Sequence, residues 1–140
     1  MSRKLFVNIA VKNLETSVAF FTKLGFTFDP NFTDEHATAM NINDDATFML
    51  LDHERFADFT KKPIVDSTAA TEAIFAISAD NRDEVDELVT AALSAGGSPA
   101  RDTEDHGFMY QRSFHDPDGH LWEVAYMDMA AFAEMSGQQQ

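Results

Sequence analysis

Hydrophobic and polar positions alternate along "KLFVNIAV" (residues 4–11), placing Leu5, Val7, Ile9 and Val11 on one face of a strand and Phe6, Asn8 and Ala10 on the other. The period then lengthens. Leu14, Val18, Phe21 and Leu24 recur at helical spacing, with Asn13 placed to cap the helix and Gly25 to stop it. "FTFDP" (26–30) reads as a second strand ended by Pro30, and "ATAMNI" (37–42) and "ATFMLLD" (46–52) as a third and fourth joined by the turn-like "NDD". The first half is therefore strand, helix, strand, strand, strand.

Residues 53–71 break the pattern with a short helix around Phe56 and Phe59, then Pro63 and a run of small polar residues, as a connector would. The order then starts again. A strand is predicted over 72–80, followed by a helix capped by Asn81 with Glu84 completing a capping box and Val85, Leu88, Val89 and Leu93 forming one stripe. Gly96 and Gly97 end it. A faint strand near 98–101 precedes two clearer ones, 107–114 and 120–127, joined by the turn "HDPDG", and a helical turn or two follows over 128–136. The chain thus reads as one α+β domain, residues 1–140, made of two βαβββ modules (about 4–52 and 72–127), a connector and a tail from 128 to 140. Phe6 overlies Ile74, Asn13 overlies Asn81, and "FMLLD" overlies "LWEVA".

Composition removes several classes of function. At 140 residues with 44% hydrophobic content and thirteen phenylalanines, the chain can bury an aromatic-rich core. A net charge of -14 repels phosphate backbones and anionic lipid, so neither nucleic acid nor a membrane is an expected partner. With no cysteine there is no disulfide, thiolate metal site or thiol nucleophile. The N-terminal "MSRKLFVNIA" lacks the features of a signal peptide and no segment approaches a membrane span, so a soluble cytoplasmic protein is expected.

Two such modules ending in "FHDPDGHLWEV" resemble the vicinal oxygen chelate superfamily, which includes glyoxalase I, extradiol dioxygenases, and the bleomycin and fosfomycin resistance proteins. The resemblance spans about residues 4–127 and is carried best by "VNIAVKNLETSVAFFTKLGF" (7–26) and "DPDGHLWEV" (116–124). Within the superfamily the chain looks most like the bacterial group labelled predicted lactoylglutathione lyase. The resemblance implies a glyoxalase-like fold in which eight strands curl into a cup with helices outside, a homodimer, and a small-molecule ligand inside the cup. It also implies four metal-ligand positions, on the first and last strand of each half: Phe6, Leu50, Ile74 and Glu123. Only Glu123 can bind a metal, and a two-residue shift on the first strand brings in Asn8, a poor ligand. Neither a metal nor another cofactor is therefore expected.

Strand alternation suggests a largely apolar lining of Phe6, Asn8, Phe48, Leu50, Ile74, Leu121 and, on the strand before last, either Phe108, Tyr110 and Arg112 or Met109, Gln111 and Ser113. The first set is favoured because an Arg and a Tyr can orient a polar ligand in an apolar pocket. A carboxylate at Glu123 must be paired or neutral when buried, with Arg112 as the natural partner and Asn8 or Tyr110 as neutral donors. His115 and His120 flank the turn as rim residues, His36 and His106 fall in loops, and Asp52-His53-Glu54 reads as the solvated end of a strand. The resulting expectation is a metal-free protein that binds a small, partly apolar molecule. The alternative is a lyase or isomerase of the lactoylglutathione lyase type that uses Glu123, metal-free or with an unfamiliar metal site.

Overall fold

In the computed structural model, which describes residues 3–138, helix α1 (Leu14–Lys23) begins where the Asn13 side chain accepts a hydrogen bond from the Thr16 amide at 3.0 Å. It ends at Gly25, whose φ of +98° lies in the left-handed region that glycine enters without a steric cost. The helix interrupts a four-stranded sheet of order β1-β4-β3-β2, formed by β1 (Leu5–Val11), β2 (Thr27–Asp29), β3 (Ala37–Asn43) and β4 (Ala46–Asp52). β1 and β4 run parallel and the remaining pairs antiparallel. Pro30 ends β2 by opening a single 3₁₀ turn through Phe32. α2 (His53–Ala57) follows β4, capped by Asp52, which accepts from the Arg55 amide at 2.8 Å.

The first unit of the described chain reaches Ala70, and a second begins at Thr71. The second repeats the order with one strand more than expected. Its open five-stranded sheet contains β5 (Ile74–Ser78), β6 (Ser98–Pro99), β7 (Glu104–Asp105), β8 (Met109–His115) and β9 (Leu121–Met127). β5 pairs parallel with β9, β9 antiparallel with β8, and β6 and β7 both pair with β8. α3 (Arg82–Ser94) crosses between β5 and β6, and α4 (Met129–Gln138) closes the described chain. The Asn81 side chain caps α3 by accepting from the Glu84 amide at 2.8 Å. Glu84 reaches back to the amide of Asp80, one residue earlier than an ordinary capping box. The fold is thus α+β, with two mixed sheets and four helices among the described residues.

Each unit has its own core. In the first, Val11, Met40 and Leu50 are fully buried together with Phe20 and Phe21 of α1, whose rings meet edge to face at 4.9 Å. In the second, Phe114, Trp122 and Val124 join Val85, Val89 and Ala92 of α3. Apart from Ala92, each of these side chains contributes about 1.5–3 kcal/mol by leaving water. No helix among the described residues is long and apolar enough to cross a membrane.

Candidate functional site

The register of the second sheet sets the surroundings of Glu123. It pairs with Ala76 on one side and Ser113 on the other, so these three share a face. Ile74 and Leu121 form a pair on the same face, and so do Ser78 and Ala125. The other face carries Phe75, Arg112, Phe114, Trp122 and Val124, and α3 packs against β8 and β9. Ile74, Leu121 and Glu123 are thus brought together, as the alternation of their strands suggested.

The partner of Glu123 is Arg101. Its guanidinium donates to Glu123 Oε1 at 2.9 Å and, through its other terminal nitrogen, to Glu104 Oε1. The Glu123 side chain is 12% exposed and that of Arg101 50%, so a nearly buried carboxylate is paired with a half-exposed arginine. A carboxylate so nearly buried requires such a charge partner. Arg101 is held in turn by its backbone N–H, which donates to Ser113 Oγ at 2.8 Å. His106 adds a 3.6 Å contact to Glu104.

Arg112 and Tyr110, expected beside Glu123, lie on the opposite face. Both donate to Asp86 of α3, the Tyr110 hydroxyl at 2.6 Å and the Arg112 guanidinium at 3.0 Å. Arg82 of α3 covers the Tyr110 ring, 4.4 Å from its centroid, and pairs with Asp105. Hydrogen bonds from Tyr110 and Arg112 hold the Asp86 carboxyl below its ordinary pKa, while the same bond to Asp86 pushes the Tyr110 phenol up. Phe108 precedes β8 and packs against Phe132 of α4, ring centroids 5.4 Å apart. The residues of β8 that share a face with Glu123 are the other set: Met109, Gln111 and Ser113. The physical reason is the pairing of Ser113 with Glu123, which settles the parity of the whole strand.

The first sheet needs a parity correction too. Phe6, Asn8 and Ala10 pair with Thr47, Met49 and Leu51, so Phe48 and Leu50 lie on the opposite face with Ile9 and Val11. Leu50 is wholly buried there. Asn8 stands to Met49 as Ala76 stands to Glu123, so the repeat counterpart of Glu123 is Met49 rather than Leu50. The ligand positions implied by the resemblance thus offer a thioether at Met49, apolar groups at Phe6 and Ile74, and one carboxylate whose cation neighbour is Arg101. Among the described residues no group of three or more His, Asp or Glu side chains is placed to hold a metal ion. This donor set does not fit a glyoxalase-type metal centre.

The turn after β8 is built around Asp116, which is 4% exposed. Its carboxylate accepts from the backbone of Asp118 and His120 and from the Trp122 indole N–H, all at 3.0 Å. Burial raises its pKa. Gly119 completes the turn with a φ of +89°. In the first unit His36 Nδ1 lies 2.6 Å from Asp52 Oδ2. That hydrogen bond raises the pKa of His36, whereas the Arg55 amide and then His36 lower that of Asp52. Asp52 is therefore a cap and an ion-pair partner rather than a solvated strand end.

Sequence patterning gave no indication of Arg101. It sits in a four-residue loop between two two-residue strands, where no periodicity exists to assign a face. The one available signal was an arginine inside the acid-rich segment "ARDTED".

The Glyoxalase/Bleomycin resistance protein/Dioxygenase superfamily model matches residues 5–124. None of the curated proteins is a significant match. Among solved structures, a hypothetical protein, SA1046, from S. aureus is 24% identical with a TM-score of 0.76, covering 90% of this chain and 94% of its own. A glyoxalase/bleomycin resistance protein/dioxygenase family enzyme from Burkholderia phytofirmans PsJN is 17% identical with a TM-score of 0.73, covering 90% and 99%. The fosfomycin resistance protein FosX from Listeria monocytogenes is 18% identical with a TM-score of 0.64, covering 90% and 91%. At these identities the structural likeness concerns the fold, and it agrees with the match over 5–124: the chain belongs to the glyoxalase/bleomycin resistance protein/dioxygenase superfamily.

Proposed function

We propose that this protein binds a small, partly apolar molecule bearing a cationic or hydrogen-bond-donating group, on the Glu123 face of the second sheet and without a metal. The carrying observation is one guanidinium shared by two carboxylates, Glu104 and Glu123, beside the apolar Ile74, Leu121 and Ala125. With Arg101 at +1 and two glutamates at -1 each, the cluster has a net charge of -1, which favours a cation and repels an anion. The occurrence of a fosfomycin resistance protein among the structural neighbours supports small-molecule recognition on this fold. A thermal-shift screen of aromatic cations and their neutral isosteres tests the reading. Cations are expected to raise the melting temperature of the wild-type protein and not of E123Q. Equal responses from both proteins, or none from either, would refute it.

A second reading is a lyase or isomerase of the lactoylglutathione lyase type. Arg101 beside Glu123 favours it, because a carboxylate can take a proton while an adjacent guanidinium stabilises the developing oxyanion. Assay of the hemithioacetal of methylglyoxal and glutathione, alone and with Ni, Co, Zn or Mn, checks this. Turnover lost in E123Q supports it, and no turnover under any condition removes that substrate. In either reading we take the protein to act in the cytoplasm as a homodimer; light scattering on the purified chain measures the oligomeric state.

A further inference from the structure

Within the Glu123 cluster one side chain, that of Arg101, has two carboxylate partners. Between β6 and β7 the chain leaves β8 only for residues 100–103 before pairing with it again. The Arg101 backbone N–H is tied to Ser113 Oγ inside that short span. The backbone is thus held at both ends and in the middle, and the freedom that remains belongs to the Arg101 side chain. That side chain is half exposed and pairs with a carboxylate that is almost buried. One terminal nitrogen donates to Glu123 and the other to Glu104. Release of Glu123 therefore leaves the guanidinium paired with Glu104, so the arginine is not stranded, and Glu123 then needs a new cation in its place.

We propose that Arg101 is a side-chain latch over Glu123, and that a ligand with a guanidinium- or amidinium-like cation takes Glu123 in place of the Arg101 donor while Glu104 retains Arg101. This rests on the binding reading above and names the ligand class and the residue that selects it. With the ligand seated, two cations face two carboxylates and the charges balance. A neutral ligand does not replace the charge that the latch withdraws, and an anion meets both glutamates. The closed latch also weakens apparent affinity by the fraction of molecules in which it is open.

The test is calorimetric titration of the full chain with benzamidinium and with its neutral isostere benzamide. R101M removes the latch and is expected to bind benzamidinium roughly tenfold tighter than wild type, as for a latch open about a tenth of the time. Its affinity for benzamide is expected to change less than about threefold. E104Q removes the second seat, keeps Arg101 on Glu123, and is expected to weaken benzamidinium binding. R101Q, which keeps a polar side chain, must shift the affinity in the same direction as R101M. Binding that depends on Glu123 but is unchanged or weakened in R101M overturns the latch and leaves the binding reading standing. If neither wild type nor R101M binds benzamidinium, or E123Q binds it equally well, the binding reading itself fails.

Discussion

Asp116 illustrates how much of a local structure one side chain can hold. Its carboxylate gathers two backbone amides and the Trp122 indole inside a turn, with Trp122 itself fully buried. D116A leaves three donors without an acceptor, the buried Trp122 indole and two part-buried amides, and is expected to cost about 3 kcal/mol, read from the urea midpoint. D116N keeps one acceptor oxygen and is expected to lose less than half as much. Equal losses from the two would mean that the side chain acts through something other than acceptance. His36 and Asp52 make a prediction about pH. The pKa of Asp52 is lowered, so its contribution is present above the ordinary 3.8 and is lost as pH falls through its folded value. The pKa of His36 is raised, so its contribution is present below the ordinary 6.5 and is lost as pH rises through its folded value, above 6.5. The pair is therefore at full strength between about pH 4 and 6.5. An NMR titration of His36 is expected to show a midpoint above 6.5, returning toward 6.5 in D52N, where asparagine still caps α2. An unchanged midpoint in D52N would show that Asp52 is not the cause.

At the scale of elements, parity decides which residues can meet. Arg112 and Tyr110 bind the helix α3 through Asp86, a half-exposed carboxylate, so that network is worth about 1 kcal/mol after solvent screening. R112M is accordingly expected to lower stability by about that amount and to leave benzamidinium affinity within about twofold, whereas R101M is expected to alter it. A collapse of binding in R112M would place Arg112 at the site and contradict the register. Much of this layer was legible in advance. Asn13, Gly25 and Asn81 mark helix ends because each role rests on local backbone chemistry, β1 announces itself by alternation, and β4 and β9 by the turns that precede them. What alternation leaves open is the face each strand turns to its helix. That depends on pairing between strands distant in sequence, as Ser113 with Glu123 and Asn8 with Met49 demonstrate. The strands β6 and β7 are too short to carry a period, so the arginine between them had no assigned face.

At the scale of the molecule, the order of elements was the readable feature. Two units with the same parallel pairing of first and last strands emerge from a repeat whose residue identities are weak. Glu123 was also readable, because it is the one ionisable group at the positions the resemblance singles out, but its partner was not. The repeat has diverged at the site, with Met49 standing where the second unit has Glu123. The proposed function therefore rests on a single carboxylate and the guanidinium paired with it. The most direct test is calorimetric titration of wild type and E123Q with benzamidinium in metal-free buffer. Saturable binding by wild type is expected, weakened at least tenfold in E123Q, or about 1.4 kcal/mol. Equal affinity in the two proteins, or no binding by wild type, would contradict it.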